Sequence, residues 1–250
     1  MNVCRMTHAS PCTVGRKRGE GETGRACHDF RKMFEEAIQV ITLMVEMRDC
    51  HTAGHQKRVA QLAGALAGEF HLSKDRVSRI QMAGLLHDIG KVVVPIEILG
   101  KPGKLNEIES AIVRTHPRVG YEMLIQIDFA APIAEAVLQH HERLDGSGYP
   151  AGLGGDEILP EAKILGVADV VEAMCSHRPY RPALGIDRAL IEIEAQKGIL
   201  YDNDVVDACL TLFRSRGFTF QAQPGMIRPQ AEERVLVPAK SGSVARNAAR

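Results

Sequence analysis

The chain has 250 residues, and its 31 Lys and Arg residues balance 31 Asp and Glu residues, so the net charge is zero. This length suits one domain of ordinary size with tails. A hydrophobic share of 45% excludes a wholly disordered chain, a collagen and a fibrous repeat. The balanced charge argues against a nucleic-acid polymer or an anionic membrane as a partner.

Cysteine spacing and apolar stretches indicate the cellular compartment. The six cysteines include no C-x-x-C pair, a pattern typical of reduced thiols, and we expect Cys175 to be an inert buried thiol. The N-terminus lacks the apolar segment of a signal peptide. Charged residues interrupt the most apolar stretch, Phe34 to Met47, so it predicts an amphipathic helix and not a membrane span. We therefore expect a cytoplasmic protein.

Helical spacing of apolar residues extends over about residues 29–217. Residues 1–28 and 218–250 lack it, and we interpret them as a disordered N-terminal extension and a flexible C-terminal tail. No stretch alternates like a strand, so the sequence predicts an all-α fold with about eight or more helices. In chain order the predicted helices are Phe30–Met47, Thr52–Phe70, Ser73–His87, Asn106–His116, Arg118–Ile127, Pro132–His141, Pro160–Ser176, Asp187–Lys197 and Asn203–Arg216.

Glycine and proline mark two loops between these helices. The segment Gly90–Lys104 is the first loop, and Asn106 with Glu109 forms a capping-box pattern at the start of the next helix. Pro117 is expected to end that helix at His116. The second loop, Glu142–Pro160, contains five Gly and two Pro. Long loops inside compact domains usually carry function.

Histidines and aspartates provide the main functional signal. Five of the ten histidines lie at predicted helix ends or helix–loop junctions, and one aspartate lies inside an apolar run. Burying a carboxylate there is costly unless a nearby positive charge compensates it, and a metal ion would supply that charge. Five imidazoles and two carboxylates exceed the coordination sphere of one ion, which suggests two ions. The candidate ligands are His55, His87, Asp88, His116, His140, His141 and Asp169.

The order of these residues resembles that of the HD-GYP phosphohydrolases, a branch of the HD superfamily that hydrolyses cyclic di-GMP. The resemblance covers roughly residues 29–217. A bare His-Asp pair is weak evidence, whereas the full ordered set is specific. The matching motifs are His55-x-x-Arg58, His87-Asp88-Ile89-Gly90-Lys91, His116-Pro117, His140-His141-Glu142, Asp145-Gly146-x-Gly148-Tyr149-Pro150, Val167-Ala168-Asp169 and Arg178-Pro179-Tyr180-Arg181.

The resemblance implies an HD-superfamily helical bundle with a long Gly-rich loop. It also implies an enzyme that converts cyclic di-GMP to linear pGpG through a hydroxide bridging two metal ions, with onward hydrolysis to GMP left open. Mixed imidazole and carboxylate ligands suit Fe or Mn better than structural Zn. In the family pattern His55, His87, Asp88 and Asp169 hold one ion, and Asp88 bridges to a second ion held by His116, His140 and His141.

The same pattern leaves the number of ions and the roles of several residues to be tested. His51 occupies the position at which some family members have an acidic residue and a third ion, so we expect two ions and not three. Arg58 is interpreted as a structural ion-pair partner, and Glu172 as a residue that could join a third site. The histidines expected to have no function are His8, His28, His71 and His177.

Substrate contacts are assigned from the same resemblance. Asp88 and Lys91 are the expected catalytic residues, and Lys91 also binds phosphate unless it is only a solvated loop lysine. Arg178 and Arg181 are expected to bind phosphate, and they could also cap the preceding helix.

The long loop leaves two functions open. Gly146 and Gly148 allow its backbone to approach the nucleotide. Tyr149 is assigned to substrate binding, although an interface role in docking a GGDEF diguanylate cyclase is favoured for its phenol ring. The alternative function is thus an interaction module that binds a cyclic dinucleotide without turnover. Another cyclic dinucleotide as substrate and the oligomeric state also remain open.

Overall fold

Helices make up most of the residues that the computed structural model describes, which are 19–49, 53–176 and 183–221. Within these residues the β-structure is limited to isolated bridges, including one between Asp145 and Gly154, so the all-α prediction is confirmed. The α-helices are α1 (Gly19–Arg48), α2 (His55–Glu69), α3 (Lys74–Leu86), α4 (Ile96–Leu99), α5 (Glu107–Val113), α6 (His116–Leu124), α7 (Ala131–Gln139), α8 (Pro160–Cys175), α9 (Ile186–Ala195) and α10 (Asn203–Arg214).

Both predicted ends of the domain need correction. Helix α1 begins at Gly19, so residues 19–28, which the sequence assigns to a disordered extension, are helical. Extending an established helix costs far less than starting one, which explains the longer element. At the other end, Phe218 and Phe220 of the predicted tail pack against Phe213, with ring centroids 5.1 and 6.0 Å away. Residues 1–18 and 222–250 lie outside the described residues.

The helix boundary at Pro117 also differs from the prediction. Helix α5 ends at Val113, and His116 is the first residue of α6 instead of the last residue of α5. Proline is well tolerated in the first turn of a helix, because its missing N–H would have no partner there. Pro117 therefore helps to begin α6. The first predicted loop likewise contains a 3-10 turn, Ile89–Val93, and the short helix α4.

Two predicted helix starts are confirmed by their hydrogen bonds. The Ser73 side chain accepts a hydrogen bond from the backbone N–H of Arg76 at the start of α3. Asn106 and Glu109 form a capping box at the start of α5, because each side chain accepts from the backbone N–H of the other residue. These local interactions satisfy N–H groups that the first helical turn leaves unpaired.

The core is built around α2, α3, α7 and α8. Helices α2 and α3 form an antiparallel hairpin with very close backbones, since a Cβ at Gly84 would lie 2.7 Å from the Cα of Ala60. Aliphatic side chains fill the interior, among them Leu62, Leu66 and Leu165, which are fully buried. No described helix is both long and apolar enough to cross a bilayer.

Helix termini carry the candidate ligands to one region of this bundle. His55 begins α2 and His116 begins α6, while His87 and His140 are the C-cap residues of α3 and α7. Asp169 lies in the middle of α8. Because these candidate ligands sit on packed helices, most of them at helix ends, the hydrophobic core fixes their relative positions.

Candidate metal centre

The first group of ligand atoms surrounds the Nε2 atom of His55. This atom lies 3.2 Å from Nε2 of His87 and 3.2 Å from Oδ1 of Asp169. Oδ2 of Asp88 lies 3.4 Å from Nε2 of His87 and 3.8 Å from Nε2 of His55. All four side chains are buried. We call His55, His87 and Asp169 cluster A.

The second group consists of three histidines. Nε2 of His116 lies 3.5 Å from Nε2 of His140, and the His140 and His141 ring centroids are 4.0 Å apart. Potential ligand atoms of His116, His140 and His141 lie within 4.8 Å of one another, and we call these residues cluster B. Oδ1 of Asp88 lies 3.4 Å from Nε2 of His116, so the two oxygens of this carboxylate face different clusters.

Hydrogen bonds at Nδ1 orient the buried imidazoles. Nδ1 of His87 donates to the carbonyl of Gly84 at 2.9 Å, and Nδ1 of His140 donates to Val137 at 2.6 Å. His116 uses the carbonyl of Val113 in the same way, at 2.7 Å. A carbonyl can only accept, so Nδ1 carries the proton and Nε2 of each neutral ring keeps its lone pair.

Burial holds most of these rings in the neutral form. Desolvation lowers the pKa of His116 to about 4 and that of His140 to about 3. It also lowers the pKa of His141 well below its usual value. Two acceptor atoms of neutral rings then face each other at 3.5 Å between His116 and His140. Such a pair of nitrogen lone pairs is suited to bind a metal cation placed between them.

His55 has a different partner at Nδ1. Although burial opposes its charge, hydrogen bonds to Asp169 and Glu172 raise the pKa of His55 to about 9. Nδ1 contacts Oε2 of the fully buried Glu172, and the Nε atom of Arg58 donates to Oε1 at 2.5 Å. The ion-pair interpretation of Arg58 agrees with this contact. Glu172 thus orients a candidate ligand.

Lys91 lies beside the carboxylate that faces both clusters. Its Nζ atom is 2.7 Å from Oδ2 of Asp88 and 3.7 Å from Oδ2 of Asp49. The Lys91 charge helps to hold the pKa of Asp88 well below its usual value, although burial of this carboxyl acts in the opposite direction. The contact places an ammonium group at the centre of the candidate site and not in bulk solvent.

The long loop is bound to the site by Glu142, which belongs to a matching motif but had no role assigned from the sequence. The carboxylate of Glu142 accepts hydrogen bonds from the backbone N–H groups of Ala151 at 2.7 Å and Leu153 at 3.0 Å. A Cβ at Gly148 would lie 2.6 Å from the carbonyl oxygen of His141, so this close approach requires glycine. The position of Glu142 directly after the His-His pair is the signal from which this role could have been predicted.

Tyr149 faces the candidate ligands. Its ring stacks on His141 with centroids 4.6 Å apart and an interplanar angle of 28°. The guanidinium carbon of the exposed Arg114 lies 5.0 Å from the Tyr149 ring centroid. Burial raises the pKa of the Tyr149 phenol, which stays neutral. Arg114 lies in none of the matching motifs, and the sequence gave no indication that it lies beside Tyr149.

The structure therefore brings the seven predicted metal ligands and Lys91 into one region. Gly146 and Gly148 lie in the adjacent loop, and Gly146 has a φ of +77°, in the region that favours glycine. The metal-ligand assignments stay predictions. Three predicted residues, His51, Arg178 and Arg181, lie outside the described residues, as does His177.

Comparison with curated proteins gives relatives with named activities. The chain is 45% identical over 177 residues to a cyclic di-GMP phosphodiesterase response regulator of Xanthomonas campestris, covering 70% of this chain and 47% of the relative. It is 40% identical over 188 residues to a cyclic di-GMP phosphodiesterase of Thermotoga maritima, covering 74% of this chain and 50% of the relative. The chain spans about half the length of these relatives.

Solved structures support the fold. A cyclic GMP-AMP specific phosphodiesterase of Vibrio cholerae matches with a TM-score of 0.56 and 18% identity, over 72% of this chain and 48% of that one. An HDG"Y"P protein of Bdellovibrio bacteriovorus matches with a TM-score of 0.53 and 18% identity, over 64% of this chain and 51% of that one. The HD domain family itself matches residues 39–205. The resemblance to HD-GYP proteins is thereby confirmed, and the chain belongs to the HD domain family.

Proposed function

We propose that this chain is a phosphodiesterase that hydrolyses cyclic di-GMP to linear pGpG, with onward hydrolysis to GMP left open. The observation that carries the proposal is the position of Asp88, whose two carboxylate oxygens face clusters A and B separately. The Xanthomonas and Thermotoga relatives, both named cyclic di-GMP phosphodiesterases, support the choice of substrate.

We further propose two divalent transition-metal ions, Fe or Mn, as cofactors. His55, His87, Asp88 and Asp169 would hold one ion, and Asp88 with cluster B would hold the other. When bound, such ions polarise phosphoryl oxygens and activate water for attack on phosphorus. Imidazole and carboxylate ligands suit Fe and Mn, whereas a closed structural Zn site favours thiolates.

The side chains around the ligands have separate tasks in this reaction. The Nδ1 hydrogen bonds keep the imidazoles in the orientation that binding requires, without reorganisation during the reaction. Lys91, 2.7 Å from Asp88, supplies positive charge where negative charge grows on the phosphoryl oxygens. Tyr149 covers His141 and excludes water from that side. Arg178 and Arg181 are proposed to bind phosphate bidentately.

The test combines metal analysis with product analysis. After anaerobic purification, the expected content is about two transition-metal ions per chain. Chromatography of a digest of cyclic di-GMP should show pGpG. A parallel digest of 3'3'-cGAMP determines selectivity, because a Vibrio cholerae relative that is 40% identical over 151 residues is named for that substrate. A metal-loaded protein that releases product from neither nucleotide would contradict the proposal.

Docking of a GGDEF domain through the loop Glu142–Pro160 is kept as the second function. The stacking of Tyr149 on His141 supports a role at the site more than a role at an interface. Tyr149→Ala separates the two functions, because only a site role makes the variant lose hydrolysis while it keeps its metal. We also propose a cytoplasmic location, which the reduced thiols of Cys175 and Cys209 support.

A further inference from the structure

Helix α1 exposes an apolar stripe that the domain itself does not cover. Large apolar side chains with exposed fractions of 40% or more are concentrated here, since seven of the 16 in the described residues lie between Phe30 and Met47. Contiguous exposed apolar surface of this kind marks an interaction site more often than chance. The opposite side of α1 is already used, because Ile38, Thr42 and Val45 are buried against the domain.

The stripe has the spacing of a coiled-coil seam. Its members alternate at intervals of three and four residues, which is the a/d pattern of a heptad repeat. The five large members are between 58% and 73% exposed. A narrow a/d stripe fits another helix, in contrast to the broader apolar face that packs on a globular core. We define the α1 seam as Phe30, Met33, Ala37, Val40, Met44 and Met47.

We propose that the α1 seam joins two copies of this chain in a two-stranded coiled coil. A second copy presents an identical seam, and none of its six positions carries a charge, so two seams meet without burying like charges. The 18 residues from Phe30 to Met47 span about 27 Å, which is five helical turns of contact.

Other occupants fit the seam less well. Prolines at 224, 229 and 238 interrupt the sequence after Gln221, so no proline-free stretch there matches the seam in length. Residues 29–48 contain four acidic and three basic residues, whereas a helix that lies on an anionic membrane has a basic polar face. Ile41 and Leu43 are the two exposed large apolar residues of α1 outside the seam, and they are less exposed than its large members, at 41% and 42%.

The test measures mass in solution by sedimentation velocity and light scattering. The wild-type chain should have twice its monomer mass of 27.3 kDa. Val40→Glu places two like charges inside the seam and should raise the dimer dissociation constant at least about 100-fold. The matched control is Gln39→Glu, which adds the same charge at the adjacent exposed position outside the seam and should leave the dimer intact.

Two further measurements keep the outcome clear. Met44→Gln adds no charge and should weaken the dimer in the same direction, and circular dichroism and metal content should be unchanged in all three variants. A monomeric wild-type chain would overturn the proposal, as would a dimer that both Val40→Glu and Met44→Gln leave at full strength. Flotation of a monomeric wild-type chain with vesicles of anionic phospholipid would assign the seam to a membrane and equally overturn it.

Discussion

The single carboxylate of Asp88 lies between clusters A and B of the candidate site. Its Oδ2 atom faces His87 at 3.4 Å, and its Oδ1 atom faces His116 at 3.4 Å. Asp88→Asn keeps the shape of the side chain and removes its charge. We expect metal content to fall below two ions and kcat/KM to fall at least about 100-fold, because an amide is a poor bridging ligand.

The control for this variant is Asp187→Asn, an exposed aspartate in the first turn of α9. It should retain metal and activity, which separates loss of the bridge from a general effect of removing an acidic group. Wild-type turnover in Asp88→Asn, measured with the metal content determined on the same sample, would contradict the bridging role.

Glu172 allows the orientation of a ligand to be tested without touching the ligand itself. Hydrogen bonds to His55 and the charges of His55 and Arg58 lower the pKa of Glu172 to about 2, although burial acts against this shift. Glu172→Gln leaves an acceptor for Nδ1 but removes the charge. Metal affinity should fall about 10- to 100-fold, as for other partners of metal-bound imidazoles.

Metal titration of the wild type and of Glu172→Gln measures this loss of affinity. Glu161→Gln is the matched control, since Glu161 lies on the same helix and pairs with Arg76 in a more exposed position. It should bind metal like the wild type. Equal affinity in Glu172→Gln would show that the His55 orientation is held by other contacts.

The sequence indicated which side chains lie together at the candidate site better than it indicated the residues that support them. Histidine and aspartate at the ends of apolar helices are visible locally, as at His87 and Asp88. Glu172 contacts His55 across 117 positions of the chain, and such a pairing depends on how α2 and α8 pack. In the sequence, Glu172 is recognisable only as a carboxylate one helical turn after Asp169.

At the scale of elements, the ends of helices were the least predictable feature. Pro117 predicted the end of one helix, but in the structure it lies in the first turn of α6, with His116 before it. A proline disfavours helix for the residue before it and suits the first turn equally well, so local chemistry leaves the two arrangements open. Packing decides between them, since a Cβ at Gly90 would lie 2.7 Å from the backbone nitrogen of Gly120 in α6.

The loop after His141 provides a prediction at the same scale. Gly148→Ala would place a methyl group 2.6 Å from the carbonyl oxygen of His141, where backbone has to move. Such overpacking should lower the free energy of unfolding by about 1–3 kcal/mol and also reduce hydrolysis. Thermal unfolding and kcat/KM would be measured together. Gly68→Ala, at a glycine of α2 where an added Cβ has nothing within 4 Å, should lower neither, and an unaffected Gly148→Ala would show that the loop adapts freely.

At the scale of the whole molecule, the bundle holds polar ligands where an aliphatic core would otherwise continue. His55, His87, His116 and His140 are at most 2% exposed, and burial of Asp88 and Asp169 opposes their ionised forms. The all-α class followed from periodicity alone, because core-facing residues repeat with the helical period. Metal ions would add positive charge beside the Asp88 and Asp169 carboxylates, so we expect folding and metal binding to be coupled.

Removal of the metal tests this coupling. A ligand that binds only the native state stabilises it by about 2.7 kcal/mol at a free concentration of 100 times its Kd. For a domain of this size, that corresponds to a Tm lower by about 5–10 °C after chelation. Scanning calorimetry before chelation, after it and after metal is restored would measure the shift. The Asp88→Asn variant should respond less than the wild type, and an unchanged wild-type Tm would mean that the bundle tolerates the buried carboxylates without metal.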